Sequence, residues 1–159
     1  MKYKSINELE TISFHDALIQ KFEYEQNSEE PSLTMELSGA VVKDGNSQND
    51  FYADKYTDVM QVKFQKVSLE KVLLEGHKYY DANDNLVEEI SDTEIASQEY
   101  QDLFQKFPES YIFYGGNPDG EKNLYQVIID VNEDSYIISF RYERAVSYLD
   151  RFLNKAQSM

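Results

Sequence analysis

Cysteine and tryptophan are absent from this chain, and only two histidines, His15 and His77, and three prolines occur among its 159 residues. Without thiols there is no disulfide staple, no cysteine nucleophile and no thiolate metal site. Two separated histidines leave a zinc site dependent on a carboxylate majority, an unusual ligand set, so no metal and no cofactor is expected. Positive charge is also scarce: 15 Lys and Arg stand against 30 Asp and Glu, a formal net charge of −15. Phosphate backbones are bound through cations that release counterions. With no basic stripe, nucleic acid is not an expected partner and anionic membranes are disfavoured. No apolar run nears the roughly 18 residues of a membrane span. The start Met1-Lys2-Tyr3-Lys4 leads into Ile6, Glu8, Leu9 and Glu10 and not into an apolar signal core. A cytoplasmic location is expected.

Apolar residues make up 41% of the chain, with 13 Tyr and 9 Phe, enough to fill a core. The length suits a single domain spanning residues 1–159. Period-two alternation dominates. Leu18, Gln20, Phe22 and Tyr24 share one face of a strand, and Leu33, Met35 and Leu37 alternate with Ser32, Thr34, Glu36 and Ser38. The turn chemistry of Asn27 to Pro31 between them predicts a hairpin. Met60, Val62 and Phe64 alternate with Gln61 and Lys63, so the first set is expected in the core and the second outside. Tyr79 to Val87 reads as two strand ends joined at Asn83-Asp84, residues that tolerate left-handed turns. Tyr125 to Val131 and Tyr136 to Phe140 predict another pair, joined at Asn132-Glu133-Asp134.

Three helices are expected. Ser5-Ile6-Asn7-Glu8 has the capping-box pattern of a short opening helix. Ser91-Asp92-Thr93-Glu94 repeats the pattern ahead of Tyr100, Leu103, Phe104 and Phe107, a mid-chain amphipathic helix stopped at Pro108. Ala145, Leu149, Phe152, Leu153 and Ala156 mark one face of a C-terminal helix. Lys43 to Lys55 and Gly115 to Gly120 read as surface loops; the latter lacks the Gly-Lys-Ser/Thr ending of a phosphate loop. Hairpins without regular helical crossovers give an α+β class: a mainly antiparallel, curved sheet with a mid-chain helix and a C-terminal helix.

Phe14-His15-Asp16-Ala17 precedes the first long strand. A carboxylate beside an imidazole can act as an acid/base pair. Neighbours in a strand point to opposite faces, however, and no Ser or Cys nucleophile is tied to this pair by a motif. The structural reading, in which His15 and Asp16 bind nearby backbone, is favoured. Asp81, Asn83, Asn85, Glu89 and Asp92 match positions of a calcium loop, but Leu86 stands where that loop needs glycine, so a plain hairpin is expected. From Asp81 to Gln105 the chain carries eight carboxylates and no Lys or Arg. That interval is either a solvated face or an anionic recognition surface. The candidate partner-binding residues within it are Asp84, Glu88, Glu89, Asp92, Glu94 and Glu99.

The Phe14-His15-Asp16-Ala17 start, followed by an alternating hydrophobic hairpin, resembles small bacterial immunity proteins of polymorphic toxin systems and related families of unknown function. The resemblance covers Ser13 to about Val42. It implies a protein that is not an enzyme and that binds and neutralises one toxin domain by direct contact. Basic toxins would fit the charge best. A small carboxylate-dependent hydrolase and an interaction module unrelated to toxins are the alternatives.

Overall fold

The computed structural model describes residues 2–154. Along the chain the strands are β1 (Tyr3–Ile6), β2 (Ile12–Ser13), β3 (Leu18–Glu25), β4 (Ser32–Ser38), β5 (Val41–Val42), β6 (Lys55–Thr57), β7 (Val59–Gln65) and β8 (Ser68–Leu74). Then come β9 (His77–Tyr80), β10 (Leu86–Ile90), β11 (Thr93–Glu94), helix α1 (Tyr100–Phe104), β12 (Tyr111–Gly116), β13 (Leu124–Val131), β14 (Asp134–Arg141), β15 (Arg144–Leu149) and β16 (Phe152–Leu153). Ten strands form one sheet in the order β1-β15-β7-β4-β3-β12-β13-β14-β8-β11. All its pairings are antiparallel. A small sheet, β16-β6-β5-β2, and the isolated hairpin β9-β10 complete the strands among the described residues.

The sheet is rolled by one bent ribbon. β7 and β8 run almost continuously opposite β14 and β15, with Gln65 facing Arg144 just before the bend and Ser68 facing Arg141 just after it. Lys66 takes a positive φ of 55° at the corner. The Glu143 N–H donates to the Gln65 carbonyl at 2.9 Å, and the Val67 N–H to that of Pro31 at 2.8 Å. The two halves of the sheet thereby face each other across the core. Phe64 from one half meets Tyr125 and Phe140 from the other, with ring centroids 5.3 and 4.8 Å away. Burial pushes the Tyr125 phenol upward, the neighbouring Tyr142 adding to the shift, so this ring is neutral in the core. A second aromatic group, Phe22, Phe104 and Phe107, seats α1 against β3. The Gln101 side-chain amide donates to the Tyr24 carbonyl on the outer edge of β3.

Leu33, Met35, Leu37, Met60, Val62 and Phe64 are all fully buried, as their alternation predicts. In β3 the expected faces are not kept. A bulge between Ile19 and Lys21 inserts one residue, so Ile19 and Phe22 both face the core while Gln20 is exposed.

The C-terminal helix does not form: Arg144–Leu149 is strand β15. Residues four apart share a face in a strand as well as in a helix, so Ala145 and Leu149 could not discriminate between them. Ala145, Ser147 and Leu149 pair with Phe64, Val62 and Met60 of β7, and that ribbon decides the outcome. Ala156 lies outside the described residues. The opening helix is also replaced. Ser5 is buried in β1, and Leu9–Thr11 is a single 3-10 turn. Glu8 reaches across the chain instead, accepting hydrogen bonds from the Ser47 N–H and hydroxyl. The mid-chain helix does form but begins later than expected. Thr93–Glu94 pairs with β8 as β11, and a 3-10 turn, Ser97–Glu99, leads into α1. The loop after β5 is better anchored than its polarity predicts, because Asn49 is buried and its amide donates to the Val42 and Ala53 carbonyls.

Candidate functional site

Phe14, His15, Asp16 and Ala17 form a tight turn, and each residue is held differently. Phe14 and Ala17 are buried, with Phe14 edge-on to Tyr125. Asp16 has a positive φ of 63°, and its N–H donates to the Ile112 carbonyl at 2.8 Å. His15 Nδ1 lies 2.6 Å from the Phe113 carbonyl. A carbonyl can only accept, so Nδ1 carries the proton and Nε2 points outward. The turn brings Nε2 within 3.4 Å of the Asp16 carboxylate, with side chains 57% and 79% exposed. The acid and base types thus meet, but on side chains open to water.

The acidic interval is divided by the fold. Asp81, Asp84, Glu88 and Glu89 lie on the β9-β10 hairpin, Asp92 and Glu94 at its root and on β11, and Glu99 and Asp102 around the start of α1. Asp81 is consumed by the turn: its carboxylate accepts from the Asn83 N–H at 2.8 Å and the Asn85 N–H at 3.0 Å. Asp92 accepts from the Gly76 N–H at 2.7 Å, and Glu89 lies 3.8 Å from Lys78. Asp84, Glu88, Glu94, Glu99 and Asp102 have no ion pair among the described residues. Nor do three His, Asp or Glu side chains converge as metal ligands there.

Every residue from His77 to Glu94 is exposed. The hairpin is therefore an arm that packs neither face on the body. Cross-strand pairs place Lys78, Tyr80, Leu86 and Glu89 on one face and His77, Tyr79, Glu88 and Ile90 on the other. Val87 sits at a bulge and is 66% exposed. Each face thus carries two large apolar groups that are about half exposed to water. An isolated two-stranded hairpin is marginal in stability. This one is braced locally by the Asp81 turn and by the seat of Gly76 against Ile90 and Ser91.

Compared with known proteins, the chain matches no family model, no curated protein and no solved structure. Its arm and its surface chemistry are therefore the grounds for a function.

The sequence reading located the hairpin from Asn83-Asp84 but not its isolation, since alternation shows which residues share a face and not whether anything covers it. A hollow of about 610 Å³ between the first turn and the Asn117–Asn123 loop has Glu10 as its one carboxylate, beside Lys122 and Tyr142. It brings no carboxylate pair together. Among the described residues, no helix is long and apolar enough to cross a membrane.

The turn gives one pH-dependent expectation. Backbone N–H groups of Asn85 and Asn83 hold the Asp81 carboxyl below its ordinary range. Its stabilising contribution is therefore complete above the ordinary aspartate pKa of about 3.9 and is lost as pH falls through the lowered value. The Asn83 and Asn85 amide signals should follow a single titration below that ordinary value in an NMR pH series. A midpoint at or above it would show that the turn does not hold the carboxylate.

Proposed function

We propose that the protein is a non-enzymatic binding protein of the immunity type, acting in the bacterial cytoplasm by occluding the surface of a basic toxin domain. The observation that carries this reading is the arm. It exposes Tyr79, Tyr80, Leu86, Val87 and Ile90 together with Asp84 and Glu88, at the cost of leaving apolar surface in water. Aromatic and aliphatic anchors within a charged surround are the make-up of a protein contact surface. The net charge of −15 would steer a cationic partner toward it. The Phe14-His15-Asp16-Ala17 turn belongs to the scaffold in this reading, because His15, Asp16 and Ala17 each bond the backbone of β12.

The test is co-expression with a basic toxin domain if one is encoded beside the gene, followed by binding kinetics on the purified pair; a gene neighbourhood with no toxin domain counts against the reading. Replacing Glu88, Glu89 and Glu94 together by Gln keeps their shape and removes three charges. Association is expected to slow by about tenfold at low salt, and the parent's own rate to fall steeply as salt rises. Folding stability should hold, since all three residues are exposed. Unchanged protection and a salt-independent rate would mean that the acidic arm is only a solvated face.

A further inference from the structure

The outer surface of the large sheet differs between its two halves. On the β3-β4-β7 side the outward cross-strand rows are polar, with Glu23 beside Thr34 and Lys63, and Lys21 beside Glu36 and Gln61. That is the expected dress of an antiparallel sheet facing water. On the β12-β13-β14-β8 side the register places Tyr114 beside Ile128, Ile128 beside Ile137, and Ile137 beside Leu73. The strand neighbours Val127, Ile129, Ile138 and Val72 point into the core and are buried, so Ile128, Ile137 and Leu73 point away from it, and the register sets Tyr114 in the same row. Tyr114 is 52% exposed, its ring lying over Gly116, and Ile128, Ile137 and Leu73 are partly exposed. A bulge between Ile112 and Tyr114 adds Phe113, also 52% exposed, at the end of the row.

The row runs directly to the arm. Leu73 lies three residues before Gly76, and the Glu75 N–H donates to the Ser135 carbonyl where β8 leaves the sheet. The border on that side is acidic: Asp130 stands beside Ser135 in the next row, Glu133 lies in the adjoining turn and Asp134 at the start of β14, and Glu94 pairs with Leu73 from β11. On the opposite border Lys71 pairs with Ser139, the one cation in that row. A second copy of this chain would bring an equally acidic border against this one.

We propose that the outer face of β12-β13-β14-β8 and the arm together form one docking surface for a basic protein whose apolar ridge, flanked by Lys or Arg, lies along Tyr114, Ile128, Ile137 and Leu73. The arm borders the ridge at its Leu73 end. This inference deepens the proposed binding function by placing the partner on one side of the sheet, and it gives the apolar groups of the arm a facing surface.

The experiment uses the whole protein and, as probe, a display library of random disulfide-looped peptides. Selected peptides are expected to combine aliphatic or aromatic residues with Lys or Arg. Their affinity should fall at least about tenfold, or 1.4 kcal/mol, for Ile128→Thr with Ile137→Thr, a pair that keeps the β-branched shape a strand favours. Should that variant fold poorly, Phe113→Ser at the bulge, which has no ladder partner and whose ring lies edge-on to His15, reads the end of the row, with His15→Ala as the control for that ring contact. Selected peptides that are acidic, or that bind both variants like the parent, overturn the proposal. So does sedimentation as a dimer that the Thr variants dissociate, which would assign the face to a second copy. Neutralisation of the adjacent-gene toxin by a folded Thr variant at parental affinity refutes this placement while leaving the binding function standing. Peptide binding on this face without neutralisation does the reverse.

Discussion

Phe64→Ala is expected to destabilise the protein by about 3–5 kcal/mol, the range for removing a large aromatic ring from a packed core. Its ring is fully buried and meets Tyr125, Phe140 and Tyr142 with centroids 4.8 to 5.3 Å away. Those partners come from β13, β14 and the corner between β14 and β15, while Phe64 stands near the end of β7. The ring is therefore the contact at which the two halves of the rolled sheet meet. Collapse around the cavity is restricted, because Gln65 and Glu143 are joined by a backbone hydrogen bond at the bend. Urea unfolding would measure the loss as a shift in midpoint with little change in slope. Leu69→Ala, at a partly exposed position just beyond the corner, provides the comparison and should cost much less. A loss at Phe64 below about 1 kcal/mol would mean that the halves are held chiefly by the ribbon's backbone bonds and not by aromatic packing.

The same ribbon explains which parts of the fold were legible in the sequence. β4 and β7 alternate without interruption and pair throughout with each other, so local periodicity and tertiary contact agree at Leu33, Met35, Met60 and Val62. β15 carries an ambiguous pattern. Ala145 and Leu149 satisfy helix and strand spacing equally, and the decision lies in β7, some eighty residues away. The bulge in β3 inverts the face read from alternation, because one inserted residue exchanges inside for outside. The candidate site shows a related division. The carboxylates from Asp84 to Glu99 were visible as a run without cations, whereas the apolar row on the outer sheet face was not. Ile128, Ile137 and Leu73 each look like ordinary strand residues until the register aligns them.

Gly76→Ala should detach the arm without unfolding the body. Gly76 has no left-handed φ, and its requirement is for space. A methyl group there would collide with the Ile90 carbonyl oxygen and come within 2.6 Å of the Ser91 carbonyl carbon, both of them backbone atoms with little room to yield. Relief requires the root of β10 to move, which also pulls Asp92 from the Gly76 N–H it accepts at 2.7 Å. Because no arm side chain enters the core cluster, the unfolding midpoint is expected to shift little. Hydrogen exchange within His77–Ile90 should instead quicken by about tenfold or more, since the hairpin keeps only its own ladder and its Asp81 turn. Asp92→Ala removes the hydrogen bond but not the space, and is expected to produce a smaller change in the same amides. If Gly76→Ala leaves those amides at the parental rate, the arm does not depend on its contact with the Gly76 backbone. If the whole protein loses stability instead, the hairpin is part of the folding unit and not an appendage offered to a partner.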